Sequence, residues 1–317
     1  MDRQSQVSIS VVVPVYNSQP MLEALVRRVS ETLAPITRNY ELVFVNDGSR
    51  DQSWAEIRRL AETHSVVRGL NMMRNFGQHN ALLAGIRAAK YEMVVTMDDD
   101  LQNPPEEIPK LVEKLDEGYD IVYGTPARQQ HGFLRDLASA STKMILRMVM
   151  NIGFAQDLSA FRAFRTPLRE AFADFRGPQA NIDVLLSWGT TRIAAVTVRH
   201  DSRASGASNY TLGRLIRHAI NIIVCFSILP LRLASILGFA FTIFGFFLLV
   251  YVVGRYLLFG SNVQGFPFLA SAIAIFSGVQ LFALGLIGEY IGRIHQRSLD
   301  RPSYVVIEDT SDKPDGS

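Results

Sequence analysis

Over the first two hundred residues, short apolar runs rich in β-branched side chains alternate with stretches whose apolar positions recur at helical spacing. Val7 to Val15 reads as a strand with a helix from Met21 to Leu33; Glu41 to Val45 and Ser53 to Glu62 repeat the pair. Val66 to Met72 with Gln78 to Ala89, then Met93 to Met97 with Pro104 to Asp116, continue the pattern, and Asp120 to Tyr123 adds a strand. Such alternation builds right-handed βαβ crossovers and a mostly parallel α/β sheet, in which ligands bind at the carboxyl ends of strands. Thr125 to Asp136 reads as a surface loop, Leu137 to Ile152 as an amphipathic helix, Gln156 to Arg165 as loop then strand, and Arg192 to Val198 as another strand.

The pattern changes after Tyr210. From Leu212 to Leu229, Arg214, Arg217 and His218 interleave with Leu215, Ile216, Ile220, Ile223, Val224 and Phe226. That spacing suits an amphipathic helix on a membrane surface, or a surface helix packed on the domain. Leu233 to Gly254 and Phe266 to Gly288 are uncharged and apolar, each near the ~20 residues needed to cross a bilayer. Arg214, Arg217 and Arg232 precede the first run, Arg293, Arg297 and Arg301 follow the second, and only Arg255 falls between, so the positive-inside rule predicts cytoplasmic termini. The expected organisation is an α/β domain over residues 1–210, a juxtamembrane helix over 211–229, a two-helix transmembrane segment over 230–290 and a cytoplasmic tail over 291–317. Within that tail Arg301 to Ile307 predicts a short strand and Asp309 to Ser317 predicts disorder. Met1 to Val7 is polar, without the apolar core of a signal peptide, which places the first domain in the cytoplasm.

Composition narrows the partners. The formal net charge of +2 is too balanced for a nucleic-acid binder, and the 48% hydrophobic content is concentrated in the last third. Cys225 is the only cysteine, which excludes an intramolecular disulfide and a thiolate metal site. The first strand is not followed by G-x-G-x-x-G, and no G-x-x-x-x-G-K-[ST] loop is present, which argues against a dinucleotide dehydrogenase and a P-loop enzyme.

The chemistry is concentrated at strand ends. Asp98-Asp99-Asp100-Leu101-Gln102 follows the apolar run Met93 to Met97. If the backbone stays extended, Asp98, Asp100 and Gln102 point one way and Asp99 and Leu101 the other. Oxygen ligands of this kind suit Mg2+ or Mn2+, whose remaining positions are commonly filled by substrate phosphates. The competing reading is an acidic loop before a helix, with Asn103 as N-cap, Pro104 in the first turn, and Glu106 and Glu107 favouring the helix dipole. Other strand ends carry Tyr16, Asn17 and Asp47.

In order along the chain, VVVPVYN, VNDGS, DDDLQNPPE, DLSAFRAF and RASGASNY, followed by two apolar runs, resemble the polyprenyl-phosphate glycosyltransferases of inverting family 2, which have the GT-A fold. The resemblance runs from Val11 to Tyr304. It is strongest to bactoprenol glucosyltransferases of the GtrB type and extends to dolichol-phosphate mannose synthases. It implies that Pro14, Tyr16, Asn17 and Asp47 help hold the nucleoside, with Asp47 facing the base; the alternative for Tyr16 and Asn17 is a plain turn after the strand, and Gln78 either contacts the nucleotide or starts its helix. Asp98, Asp100 and Gln102 are then expected around Mg2+ or Mn2+ and the diphosphate, and Asp157 matches the candidate base near the acceptor phosphate. Because a phosphate monoester loses its second proton near pH 6, three roles stay open for Asp157: taking a residual proton, orienting the acceptor or a cation, or pairing with Arg162 or Arg165. Arg128, Arg135 and Arg203, with Ser205 and Ser208, are the candidate acceptor-phosphate groups, against a reading of each arginine as a solvated charge.

The reaction so implied is transfer of a hexose, foremost glucose from UDP-glucose, to undecaprenyl phosphate at the cytoplasmic face of the inner membrane, with inversion by in-line displacement. GDP-mannose and UDP-modified pentoses are alternative donors. A non-catalytic nucleotide-sugar-binding scaffold is the alternative from another class, and it has no need for both Asp100 and Asp157. A processive synthase is disfavoured because neither Trp54 nor Trp188 follows an arginine. The expected partners are the nucleotide sugar, the polyprenyl phosphate, the bilayer and a separate flippase. A strand at Ile307 could also pair with a second copy of the chain.

Overall fold

Among the described residues eight strands form one sheet in the order β7-β5-β6-β4-β1-β2-β3-β8, where β1 is Ser8–Val15, β2 Asn39–Asn46, β3 Val67–Met72, β4 Met93–Thr96, β5 Ile121–Pro126, β6 Arg162–Arg165, β7 Ile193–Val198 and β8 Val306–Asp309. The computed structural model describes residues 7–126, 158–177, 180–201, 229–259 and 266–312. β1 is parallel to β2 and β4, β2 to β3, and β5 to β7. β6 is antiparallel to both β4 and β5, and β8 is antiparallel to β3.

The core follows from strand periodicity. On β1, Ile9, Val11, Val13 and Val15 pack with α1 (Gln19–Leu33), α2 (Ser53–Thr63) and α4 (Ile108–Asp116), whereas Val12 packs with α3 (Gln78–Ala88) and α5 (Ile182–Ser187) on the opposite face. A strand covered on both sides favours apolar residues at consecutive positions, which is why Val11-Val12-Val13 is unbroken. α3 lies so close that a Cβ on Gly85 would come within 2.3 Å of Val12 Cγ1. At the amino ends of the strands, Glu41, 6% exposed, accepts hydrogen bonds from Ser10 Oγ at 2.6 Å and Lys90 N at 2.7 Å. A buried carboxylate held this way ties β1, β2 and the approach to β4 together at the end remote from the candidate site.

Several local expectations are corrected. The helix after the acidic stretch opens as a 3-10 turn, Pro105–Glu107, with Pro104 and not Asn103 at the cap position. Asn103 is buried, and its Oδ1 lies 3.3 Å from His200 Nδ1. Asp309 is not disordered: it pairs with Leu70 on β3, and Thr310 N donates to Gly69 O at 3.0 Å. A 3-10 helix, Thr166–Phe172, and α5 were not anticipated; α5 is capped by Asn181, whose side chain accepts from Val184 N at 3.2 Å. The expected helix at 137–152 lies outside the described residues, as does the expected helix at 212–229 except for Leu229, which opens the helix Leu229–Phe259.

The chain divides into two compact units, Met1–Leu215 with Asp300–Ser317, and Ile216–Leu299. The second unit holds α6 (Leu229–Phe259) and α7 (Phe266–Ser298), which contain apolar spans Leu231–Arg255 and Ile275–His295, each long and apolar enough to cross a membrane. Neither span is buried within the protein, and Phe239, Phe247 and Leu284 are each more than 60% exposed. An apolar surface of that extent is compatible with a lipid environment and unfavourable in water.

Candidate active site

The carboxyl ends of β1, β2 and β4, with the loop after β3, enclose an open cavity of about 340 Å³. Pro14 and Val15 end β1 and Tyr16 follows them, Asp47 follows β2, Asn75 and Gly77 lie in the loop that leads to Gln78 at the start of α3, and Asp98, Asp99 and Asp100 follow β4. A parallel sheet thus brings together groups more than 80 residues apart in sequence.

Tyr16 follows the last residue of β1, lines the cavity and is 44% exposed. Asn17 takes the left-handed conformation at φ 55°, tolerated by asparagine, and joins two turns: its N donates to Ser49 Oγ at 3.0 Å while its Oδ1 accepts from Arg50 N at 2.8 Å. Asn17 is not among the residues lining the cavity.

Asp47 is buried, and its carboxylate accepts from Phe76 N at 2.7 Å and Gly77 N at 2.9 Å. Burial pushes the Asp47 carboxyl above its ordinary value, and the two amide bonds oppose that shift. The neighbouring Gly48 sits at φ 65°, where a Cβ would come within 2.5 Å of Asn75 N, so the turn after β2 can pack directly on the loop after β3. That loop passes Gly77 at φ 93° into α3, whose first residue, Gln78, donates from Nε2 to Asp98 Oδ1 at 2.7 Å.

The acidic stretch does not stay extended. β4 ends at Thr96, the chain turns at Asp99 and Asp100, and Leu101 adopts φ 58°. The predicted alternation of side chains therefore fails, and Asp98, Asp99 and Asp100 all line the cavity. Asp99 accepts from Tyr16 N at 3.3 Å; burial raises its carboxyl, hydrogen bonds from Ser18 and Tyr16 oppose this, and the charge of Asp100 adds to it. Gln102 supports the turn with its backbone: its N donates to Asp100 Oδ1 at 3.2 Å and its carbonyl accepts from Asp201 N at 2.8 Å. Gln102 is not among the lining residues. Among the described residues no three His, Cys, Asp or Glu side chains form a ready-made metal cage.

Asp157, Arg128, Arg135, Arg203, Ser205 and Ser208 lie outside the described residues. The two proposed partners of Asp157 are engaged elsewhere: Arg162 pairs with Asp183, and Arg165 Nη2 donates to Leu115 O at 3.1 Å. Sequence reasoning assigned no role to Asp99, Asn75 or Gly77. The polar Asn75-Phe76-Gly77-Gln78 run between a strand and a helix was the available signal.

The profile of glycosyl transferase family 2 matches residues 10–170, which include every strand end that reaches the cavity. The chain belongs to glycosyl transferase family 2. Its sequence is 36% identical over 303 residues to the undecaprenyl-phosphate 4-deoxy-4-formamido-L-arabinose transferase of Yersinia pestis strain Pestoides F, covering 94% of this chain and 92% of that protein. The Yersinia enterocolitica protein of the same name is 36% identical over 304 residues, with the same coverage. Among solved structures, Mycobacterium tuberculosis glucosyl-3-phosphoglycerate synthase with Mn2+, UDP and phosphoglyceric acid superposes with a TM-score of 0.52 at 20% identity, over 69% of this chain and 77% of that one. The same enzyme with Mg2+ and UDP gives 0.51 at 20% identity, over 69% and 78%. The first unit of this family-2 glycosyltransferase thus has a GT-A-like fold, with its cavity at the carboxyl edge of the parallel strands.

Proposed function

We propose that this glycosyltransferase moves a sugar from a nucleoside diphosphate to undecaprenyl phosphate, and that the sugar is a modified pentose of the 4-deoxy-4-formamido-L-arabinose kind and not glucose. The relatives support this because their similarity spans nearly the whole chain, including both apolar helices. The likeness to the mycobacterial glucosyl enzyme, at 20% identity, speaks only to the fold. The observation that carries the reading is the convergence of Asp98, Asp99 and Asp100 with Tyr16, Asp47 and Gln78 in one cavity, in a chain that also carries two membrane-length helices.

The donor set fits Mg2+ or Mn2+, held by Asp98 and Asp100: both groups are hard carboxylates, and adjacent negative charges within one turn favour a cation. When bound, the ion neutralises charge on the leaving diphosphate. Pro14 and Tyr16 border the nucleoside, and Gln78 fixes the orientation of Asp98 through its amide. An oxygen of the acceptor phosphate attacks the anomeric carbon as the nucleoside diphosphate departs from the opposite side, which inverts the configuration. Since that phosphate is already largely dianionic at neutral pH, the role of Asp157 is to orient it or take its residual proton. Arg128, Arg135 and Arg203, with Ser205 and Ser208, offset the repulsion between the two anionic substrates. The two apolar helices keep the enzyme with its lipid acceptor, with the first unit and both termini on the cytoplasmic side of the inner membrane.

The test is a panel of UDP-4-deoxy-4-formamido-L-arabinose, UDP-glucose and GDP-mannose, each supplied with undecaprenyl phosphate and Mn2+ to the full chain in detergent. Lipid product from the modified pentose is expected. Faster turnover of UDP-glucose would return the sugar assignment to glucose, and absence of lipid product from all three would reject the acceptor reading.

A further inference from the structure

After α7 the chain returns to the first unit. Arg176 Nη1 donates to Asp300 at 2.9 Å, and the Arg87 guanidinium lies 5.8 Å from the centre of the Tyr304 ring. β8 then adds to the edge of β3. On it, Asp309 receives a fork of two hydrogen bonds, from Arg68 Nε at 3.0 Å and Nη2 at 2.6 Å, with the two side chains only 17% and 14% exposed. Arg68 Nη1 donates in turn to Ala88 O, at the end of α3. Thr310 Oγ1 accepts from Gly69 N at 2.9 Å, and Glu308 accepts from Trp54 Nε1 at 3.0 Å. Partly buried, bidentate and joined to backbone bonds, this attachment is stronger than an ordinary surface ion pair.

One bond reaches further. Met73 N donates to Val305 O at 2.9 Å, just beyond the register shift at Asn71 and Met72. The next residues, Arg74 to Gln78, form the loop that contributes Asn75, Gly77 and Gln78 to the cavity. It is held at its start by Val305 and in its middle by the Asp47 carboxylate, and at its end Gln78 meets Asp98. Gly77, whose N is one of the two amides held by Asp47, has φ 93°, and a Cβ there would meet nothing within 4 Å among the described residues. Ordering such a loop costs on the order of 1 kcal/mol per residue, and an anchor at its first residue lowers that cost for a ligand.

We propose that the returning tail is a working part of the donor pocket: Val305 and the Arg68–Asp309 clasp hold Met73, and so set the loop that presents Gln78 to Asp98. Asp309 and Arg68 are positioning residues for donor binding. The inference rests on the reading of this cavity as the nucleotide-sugar site.

The experiment compares Asp309→Lys, which sets two cations face to face, with Asp309→Asn, which keeps the shape and removes the charge. Both are made in the full chain carrying Trp188→Phe, so that Trp54 is the only tryptophan and reports on its Glu308 contact. UDP affinity is measured with Mn2+ by titration calorimetry. In Asp309→Lys the expected result is a red shift of Trp54 emission and an affinity about tenfold weaker, ~1.4 kcal/mol. The donor KM should rise in proportion, with the KM for undecaprenyl phosphate within about twofold of the parent, a split that general destabilisation does not produce. Parental UDP affinity in Asp309→Lys overturns the proposal; if that variant fails to fold, Asp309→Asn decides by the same criterion. If the parent chain itself does not bind UDP, the donor-pocket reading fails instead.

Discussion

Removing the Asp183 carboxylate tests how the strand next to the acidic turn is held. Arg162 lies on β6 between β4 and β5, is 2% exposed, and forms its ion pair with Asp183 at the start of α5. Tyr123 OH donates to the same Asp183 oxygen at 3.0 Å, and burial raises its phenol well above the ordinary value, so it stays a neutral donor. Among the described residues the buried Arg162 Nε has no hydrogen-bond partner. Asp183→Ala strands a buried guanidinium, at about 3–5 kcal/mol. It also leaves a buried phenol without its acceptor, at about 1–3 kcal/mol. One carboxylate serves both groups, so the penalties overlap and the expected loss is ~4 kcal/mol, against a total stability of about 5–15 kcal/mol for a typical domain. In Tm this is roughly 10 °C for a unit of this size. The double variant Arg162→Met with Asp183→Leu removes both charges and should recover the part of the loss due to the stranded guanidinium, leaving the Tyr123 phenol without its acceptor. Both variants are compared with the parent by thermal unfolding of the full chain in detergent, followed by near-UV circular dichroism. Asp183→Ala within about 1 kcal/mol of the parent, or a double variant no more stable than the single, would refute the reasoning.

Asp98→Asn and Asp100→Asn should each lower turnover by about a hundredfold and abolish the Mn2+ dependence of UDP affinity; calorimetry that finds this dependence intact in both variants rejects them as metal ligands. Gly48→Ala combines φ 65° with a Cβ 2.5 Å from Asn75 N, so it should cost about 1–3 kcal/mol in thermal stability and weaken UDP binding by displacing the loop; a parental Tm would contradict that. Asp309 gives a pH dependence. Burial alone would raise its carboxyl, but hydrogen bonds from Arg68 and Ser311 and the charge of Arg68 outweigh this and hold it below the ordinary value. Its contribution is therefore complete above about pH 3.9, the unfolded value, and is lost as pH falls through the lower folded value. Trp54 emission should be flat from neutral pH to about 5 and move to the red only in stronger acid; a transition near pH 6 would contradict the assignment.

The parallel half of the sheet was legible because the middle of β1, β2 and β4 is buried on both faces, which favours consecutive apolar residues such as Val11-Val12-Val13 and Leu42-Val43-Phe44-Val45. β6 was legible as a strand from Arg162-Ala163-Phe164-Arg165, but its direction was not: nothing in four residues records that it runs against β4 and β5. The tail was legible only in part: a short strand was expected up to Ile307 and β8 is Val306–Asp309, but order from Asp309 onward was missed. Glu308-Asp309-Thr310 is polar, and it is ordered by partners more than 240 residues away, a long-range charge pairing that local composition cannot express. The acidic turn shows the limit most clearly. Period-two alternation assumed an extended chain, but Leu101 turns left-handed, a conformation for which leucine gives no warning, whereas Asn17 in the same conformation is of the residue type that tolerates it. The consequence is chemical as well as geometric. A turn delivers three consecutive carboxylates to one cavity where a strand would have delivered alternate ones, and it places Asp99 where burial and the charge of Asp100 both oppose its ionisation. Three carboxyl groups therefore share one cavity where the extended reading allowed two. Gln78, an amide donor set against Asp98 by the loop that begins at the Val305 carbonyl, supplies one of them with a neutral partner from within the fold.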